Sequence, residues 1–160
     1  MTEVSKNLFV GSQYDYEQNP LLFNEWCVVH ACKEPYHRRA LGYSGAGAPK
    51  NSPYYLFLYD KNYHLVMNIV DADSPRFFAD ELIDEAINYC ITGLKHNKKV
   101  LIHCNQGESR APMIAMMVMK KMGLLSNNFD EALNYFSSIY EYLRPKRGIL
   151  EYSRARWNNL

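Results

Sequence analysis

The chain of 160 residues has little net charge: 18 lysines and arginines stand against 17 aspartates and glutamates, a formal balance of +1. Bulk electrostatic attraction to nucleic acid or to an acidic membrane surface is therefore excluded, and any anion site has to be local. Long apolar runs are also missing. The longest, Ala111 to Met119, ends at Lys120 and Lys121, well short of the ~20 residues needed to span a bilayer. The N-terminal stretch MTEVSKNLFVGS places Glu3, Lys6 and Asn7 where a secretory signal would be uninterruptedly apolar. These absences lead to the expectation of a soluble, cytoplasmic protein, acting as a monomer with neither nucleic acid nor membrane as partner. Four cysteines are too few for a disulfide scaffold, so each is read by its neighbours. No internal repeat or low-complexity tract divides the chain, and its length suits one domain over residues 1–160.

Hydrophobic residues make up 48% of the chain, and they fall into short β-type runs at Asn7–Gly11, Trp26–Ala31, Tyr54–Tyr59, Leu65–Val70 and Lys99–His103. Between the last two, Ala79, Leu82, Ile83, Ala86, Ile87, Cys90 and Leu94 recur at helical spacing, with Ser74-Pro75 as a plausible start, so a helix is predicted within Pro75–Asn97. Three more helices are predicted at Arg110–Met122, Phe129–Tyr140 and Gly148–Trp157. The expected class is α/β: a central, mostly parallel sheet of about five strands flanked by helices. Lys33–Pro53, rich in glycine and proline, reads as a long irregular loop.

The informative segment is KVLIHCNQGESRAPMIAMMVMKKMG, which runs from a strand through a polar turn into an apolar helix and puts Cys104 at the strand exit. Gly107 allows successive backbone N–H groups of the turn to face inward, and the helix that follows adds its unpaired amides and positive dipole end. Such a cradle holds an anion and favours a thiolate over a thiol. Arg110 supplies a planar guanidinium for two phosphoryl oxygens.

The run His103-Cys104-Asn105-Gln106-Gly107-Glu108-Ser109-Arg110-Ala111-Pro112 resembles the signature loop of the cysteine-dependent protein tyrosine phosphatase superfamily, and its Ser-Arg-Ala-Pro ending is most similar to the dual-specificity branch. Looser similarity extends from Asn7–Ser12 to Arg144–Ile149. The resemblance implies attack by Cys104 on phosphorus and hydrolysis of the phosphocysteine by water, with neither metal nor cofactor. Arg110 would bind the phosphate, Ser109 would help Cys104 depart in the second step, and His103 would tune the cysteine. Asn105, Gln106, Gly107 and Glu108 would complete the phosphate-binding loop. The implied partner is a phosphorylated protein or a small phosphate monoester: phosphotyrosine, with phosphoserine and phosphothreonine open. A catalytically weak phosphate-binding module is the alternative, as are non-protein substrates such as phosphoinositides or nucleotides, although Glu108 disfavours very anionic ones.

A general acid is also required. The resemblance places it about thirty residues ahead of the cysteine, where Asp71 and Asp73 both stand. Strand alternation puts both on one face. Met67 and Ile69, four and two positions ahead of Asp71, match the family's pattern and favour Asp71, with Asp73 as the alternative and a helix cap or loop role for the other. Cys27, His30, Cys32 and His37 invite a zinc reading, but the odd separation of Cys27 and Cys32 points them to opposite faces of a strand, so they are read with Cys90 as core residues. Lys33, His37, Arg38 and Arg39 either rim the site or form a solvated loop, and Arg144, Lys146 and Arg147 are read as ordinary solvated charges.

Overall fold

The computed structural model describes residues 1–19 and 22–160, and the side chains of these apart from residues 22 and 23. Six strands form one sheet: β1 (Thr2–Ser5), β2 (Leu8–Ser12), β3 (Cys27–His30), β4 (Phe57–Tyr59), β5 (Leu65–Met67) and β6 (Val100–Cys104), in the order β1-β2-β6-β3-β5-β4. The four central strands run parallel, and β1 and β4 pair antiparallel at the two edges. The sixth strand, β1, was not among the five expected. Its sequence TEVS buries only Val4, and its strand form follows from pairing with β2.

Alternation along the parallel strands builds two unequal faces. Leu8 and Val10 of β2, Val29 of β3, Leu65 and Met67 of β5, and Val100, Ile102 and Cys104 of β6 join the main core, packed under α3 (Asp80–Lys95), α4 (Arg110–Lys121), α5 (Phe129–Ile139) and α6 (Arg147–Arg156). Helix α3 buries Leu82, Ile83, Ala86, Ile87 and Cys90; each large apolar side chain so placed stabilises the fold by roughly 1.5–3 kcal/mol. A Cβ at Gly93 would come within 2.7 Å of Cys27 Sγ, so this glycine lets α3 lie directly on β3. The opposite face carries a smaller cluster of Val28 and Leu101 with Phe9, Tyr16 and Trp26.

Two further segments differ from the sequence expectation. The helix expected from Pro75 splits into a 3-10 turn at Pro75–Phe77 and α3 proper from Asp80. The glycine- and proline-rich segment begins with a π-helical turn at Lys33–His37 and a short α2 (Arg38–Leu41), stopped at Gly42 with φ 81°. Tyr16, in α1 (Gln13–Glu17), and Tyr36, in that π turn, pack their rings against His30 and His103, so the segment is held by aromatic contacts rather than lying free. Cys27, Cys32 and Cys90 are free thiols in or against the core. No helix of the described residues is long and apolar enough to cross a membrane.

Candidate active site

Strand β6 lies in the middle of the sheet, buried at every residue, and delivers Cys104 at its carboxyl end, 2% exposed. The next five residues wrap into the turn that leads to α4 at Arg110. Gly107 has φ +77°, and a Cβ there would stand 2.8 Å from the Gly11 carbonyl oxygen, so both conformation and space require glycine.

The turn is held from outside through its carbonyls. Asn105 C=O accepts from Gln13 N–H (3.1 Å), Gly107 C=O from the Tyr140 hydroxyl (2.7 Å) and Glu108 C=O from Arg144 N–H (2.7 Å). With the oxygens turned outward, the N–H groups of residues 106–109 are left without a protein acceptor among the described residues. This is the arrangement that an oxyanion occupies.

Arg110, 8% exposed, is aimed by two bonds: Nη1 donates to Ile69 C=O (3.2 Å) and Nη2 to Asn105 Oδ1 (2.8 Å). Its buried Nε has no hydrogen-bond partner among the described residues. Asn105 in turn donates through Nδ2 to Gln13 Oε1 (3.0 Å) and Glu34 C=O (2.8 Å), so one amide joins α1, the π turn and the arginine.

Of the two aspartates, Asp71 is in the cleft and Asp73 is exposed outside it. Ser109 Oγ donates to Asp71 Oδ1 (2.8 Å) and accepts from Lys146 N–H (2.9 Å), tying the acid-bearing segment, the turn and the start of α6 together. A cleft of about 300 Å³ results, lined by Asp71, Cys104, Asn105, Gln106, Glu108, Ser109, Arg110, Arg144 and Lys146. Behind it His103 is fully buried. Its Nδ1 faces Cys104 C=O at 3.4 Å and its Nε2 faces His30 Nδ1 at 2.6 Å. Burial holds both imidazoles in the neutral form, with His103 pushed down to about 4 and His30 well below its usual range.

No protein-family model matches the sequence, and no curated protein matches it either. Solved structures do. The chain is similar to the PTP-2 phosphatase of Cydia pomonella (22% identity, TM-score 0.64, covering 97% of this chain and 88% of that one) and to DUSP15 (19%, 0.65, 98% and 86%). PTPMT1 in complex with PI(5)P superposes comparably (12%, 0.65, 98% and 94%). The fold is that of the dual-specificity phosphatases.

On this phosphatase fold the sequence reading found every loop residue of the cleft and missed two of its walls. Arg144 and Lys146, read as ordinary solvated charges, line the cleft. Their cue was the similarity of Arg144–Ile149 to the family near its last helix. Conversely, none of Lys33, His37, Arg38 and Arg39 lines it. Lys33 donates to Ala46 C=O, Arg38 pairs with Glu34, and His37 is buried between Tyr43 Oη and Tyr54 C=O.

Proposed function

We propose that this chain hydrolyses phosphate monoesters, phosphotyrosine foremost with phosphoserine and phosphothreonine in the same class, through a phosphocysteine intermediate. The observation that carries the reading is the meeting of Cys104, Arg110 and Asp71 on one cleft, at a turn where the N–H groups of residues 106–109 and Arg110 Nε have no acceptor among the described residues. The amides and guanidinium bind three phosphoryl oxygens and stabilise the charge that spreads over them in the transition state. Cys104 Sγ attacks phosphorus, the bond from phosphorus to the ester oxygen breaks, and Asp71 delivers a proton to that oxygen. Water, giving its proton back to Asp71, then breaks the S–P bond and releases phosphate. Ser109 holds the Asp71 carboxyl through its hydroxyl, and His103 acts as a positioning residue behind the nucleophile.

A second reading concerns the substrate. Arg144 and Lys146 on the cleft wall favour a ligand with a further anionic group, such as a phosphoinositide or a nucleotide, while Glu108 on the same wall opposes it. The deciding experiment is hydrolysis of aryl phosphate, phosphopeptides, phosphoinositides and nucleotides by the wild type and by Cys104→Ser. Turnover by the wild type and none by Cys104→Ser is expected. Phosphopeptide binding by a wild-type protein without turnover would replace the enzyme reading by that of a phosphate-binding module. Arg144→Ala separates the substrates: selective loss on the multiply charged ones supports the second reading, and an equal effect on all supports the first.

A further inference from the structure

A second cavity, apart from the phosphate cleft, is lined by described residues. It measures about 420 Å³ and lies on the less covered face of the sheet, where His30, Tyr36, Arg39, Asp60 and Lys61 line it. Single donor atoms of two of these lining residues, His30 and Asp60, lie within 4.8 Å of one another and of a donor atom of the neighbouring His64. Both histidines are 1% exposed.

The orientation of these groups suits a metal ion. Asp60 Oδ1 is engaged by the N–H groups of Asn62 (2.8 Å) and His64 (3.0 Å), and Oδ2 stands 3.6 Å from His64 Nδ1. Around a tetrahedral ion with bonds of about 2.0–2.1 Å, neighbouring ligand atoms are about 3.3 Å apart, so this pair is a few tenths of an ångström from a chelating separation. His30 presents the accompanying feature. A metal-bound imidazole donates its other N–H to an outer acceptor, and His30 Nδ1 faces His103 Nε2 at 2.6 Å. If His103 Nδ1–H serves Cys104 C=O (3.4 Å), its Nε2 is the acceptor, His30 Nδ1 carries the proton, and the lone pair of His30 resides on Nε2.

We propose that His30, Asp60 and His64 form a binding site for a divalent transition ion such as zinc, separate from the phosphate cleft and joined to it through His103. Two imidazoles and one carboxylate suit Zn²⁺ and its neighbours rather than Mg²⁺ or Ca²⁺, which require mostly oxygen ligands. Three protein ligands leave a fourth position toward the cavity for water or an exogenous group. Arg39 and Lys61 also line the cavity, but both are exposed, and solvent screens their repulsion of the ion. An ion on His30 strengthens the donor at Nδ1, polarises His103, and so reaches the backbone of the residue proposed as nucleophile. The site itself does not depend on the phosphatase reading.

The test is titration of Zn²⁺ by calorimetry and of Co²⁺ by visible absorption into the full chain. Wild type and Cys104→Ser are expected to bind one equivalent with the same affinity, and Co²⁺ to show tetrahedral d–d bands without thiolate charge transfer. Asp60→Asn retains an oxygen for the two amides and is expected to weaken binding about tenfold or more; His64→Gln should do likewise. Loss of binding in Cys104→Ser would place the ion on the thiol and overturn the proposal. So would unchanged affinity in Asp60→Asn, or no saturable binding below millimolar metal. Asp60 is partly exposed, so its variant carries the test even if His64→Gln fails to fold.

Discussion

Replacing Gly148 by alanine tests whether α6 positions the proposed acid. Gly148 is buried in the first turn of α6, and a Cβ there would overlap the Ala72 carbonyl and stand 3.0 Å from Ser74 N. Both are backbone atoms of the segment that carries Asp71, so no flexible side chain can yield and either the helix or the segment must shift, by about 1 Å. Overpacking of this kind costs about 1–3 kcal/mol, a fall of about 3–10 °C in Tm for a chain this long. The same shift strains the bonds from Lys146 N–H to Ser109 Oγ (2.9 Å) and from Ser109 to Asp71 (2.8 Å), and misplacing a catalytic group by about 1 Å can reduce rate about 10²-fold. A proton matters only to a poor leaving group. In kcat/KM, which reports only the step that forms the phosphocysteine, phenyl phosphate is therefore expected to fall about ten- to a hundredfold in Gly148→Ala, while p-nitrophenyl phosphate changes little. Equal losses on both substrates, or no loss in a variant with lowered Tm, would refute the link between α6 and the acid.

Two further outcomes follow from the support behind the loop. His103 and His30 are held neutral by burial, whereas in the unfolded chain they take up protons as pH falls through about 6.5. Stability is thus complete above that value and is lost as pH drops toward 4, by about 2 kcal/mol from His103 alone at pH 5; urea midpoints at pH 7.5 and pH 5 should show this slope, and His103→Asn should flatten it. Tyr140→Phe removes the hydroxyl that holds Gly107 C=O at 2.7 Å and is expected to cost about 1 kcal/mol by urea denaturation, with a raised KM for aryl phosphate. An unchanged KM would show that the cradle keeps its shape without that bond.

The cradle was legible because its chemistry is contiguous: strand, turn and helix start lie in ten consecutive residues, and local geometry alone puts Cys104, Gly107 and Arg110 together. The periodicity of α3 was legible for the same reason. Alternation alone did not separate Asp71 from Asp73, and only the resemblance favoured Asp71, because alternation assumes a strand, while β5 ends at Met67 and the following backbone turns Asp71 to Ser109 and Asp73 to solvent. Arg144 and Lys146 carry no cue beyond the loose similarity of Arg144–Ile149; backbone bonds from Arg144 N–H to Glu108 C=O and from Lys146 N–H to Ser109 Oγ bring them to the cleft. His30 was considered for a metal beside Cys27, Cys32 and His37, neighbours in sequence, whereas Asp60 and His64 approach it only through the pairing of β5 with β3.

The position of β6 has a consequence for how the proposed activity would fade. Protected on both sides by β2 and β3, its amides belong to the part of the molecule that exchanges with solvent last, whereas no helix or strand spans the stretch from Met67 to Pro75 that holds Asp71. Gentle warming or denaturant opens that stretch first. On the proposed reading the chain is then expected to pass through a regime in which the loop still captures an anion but Asp71 no longer supplies a proton, so occupancy would outlast turnover on the way to unfolding.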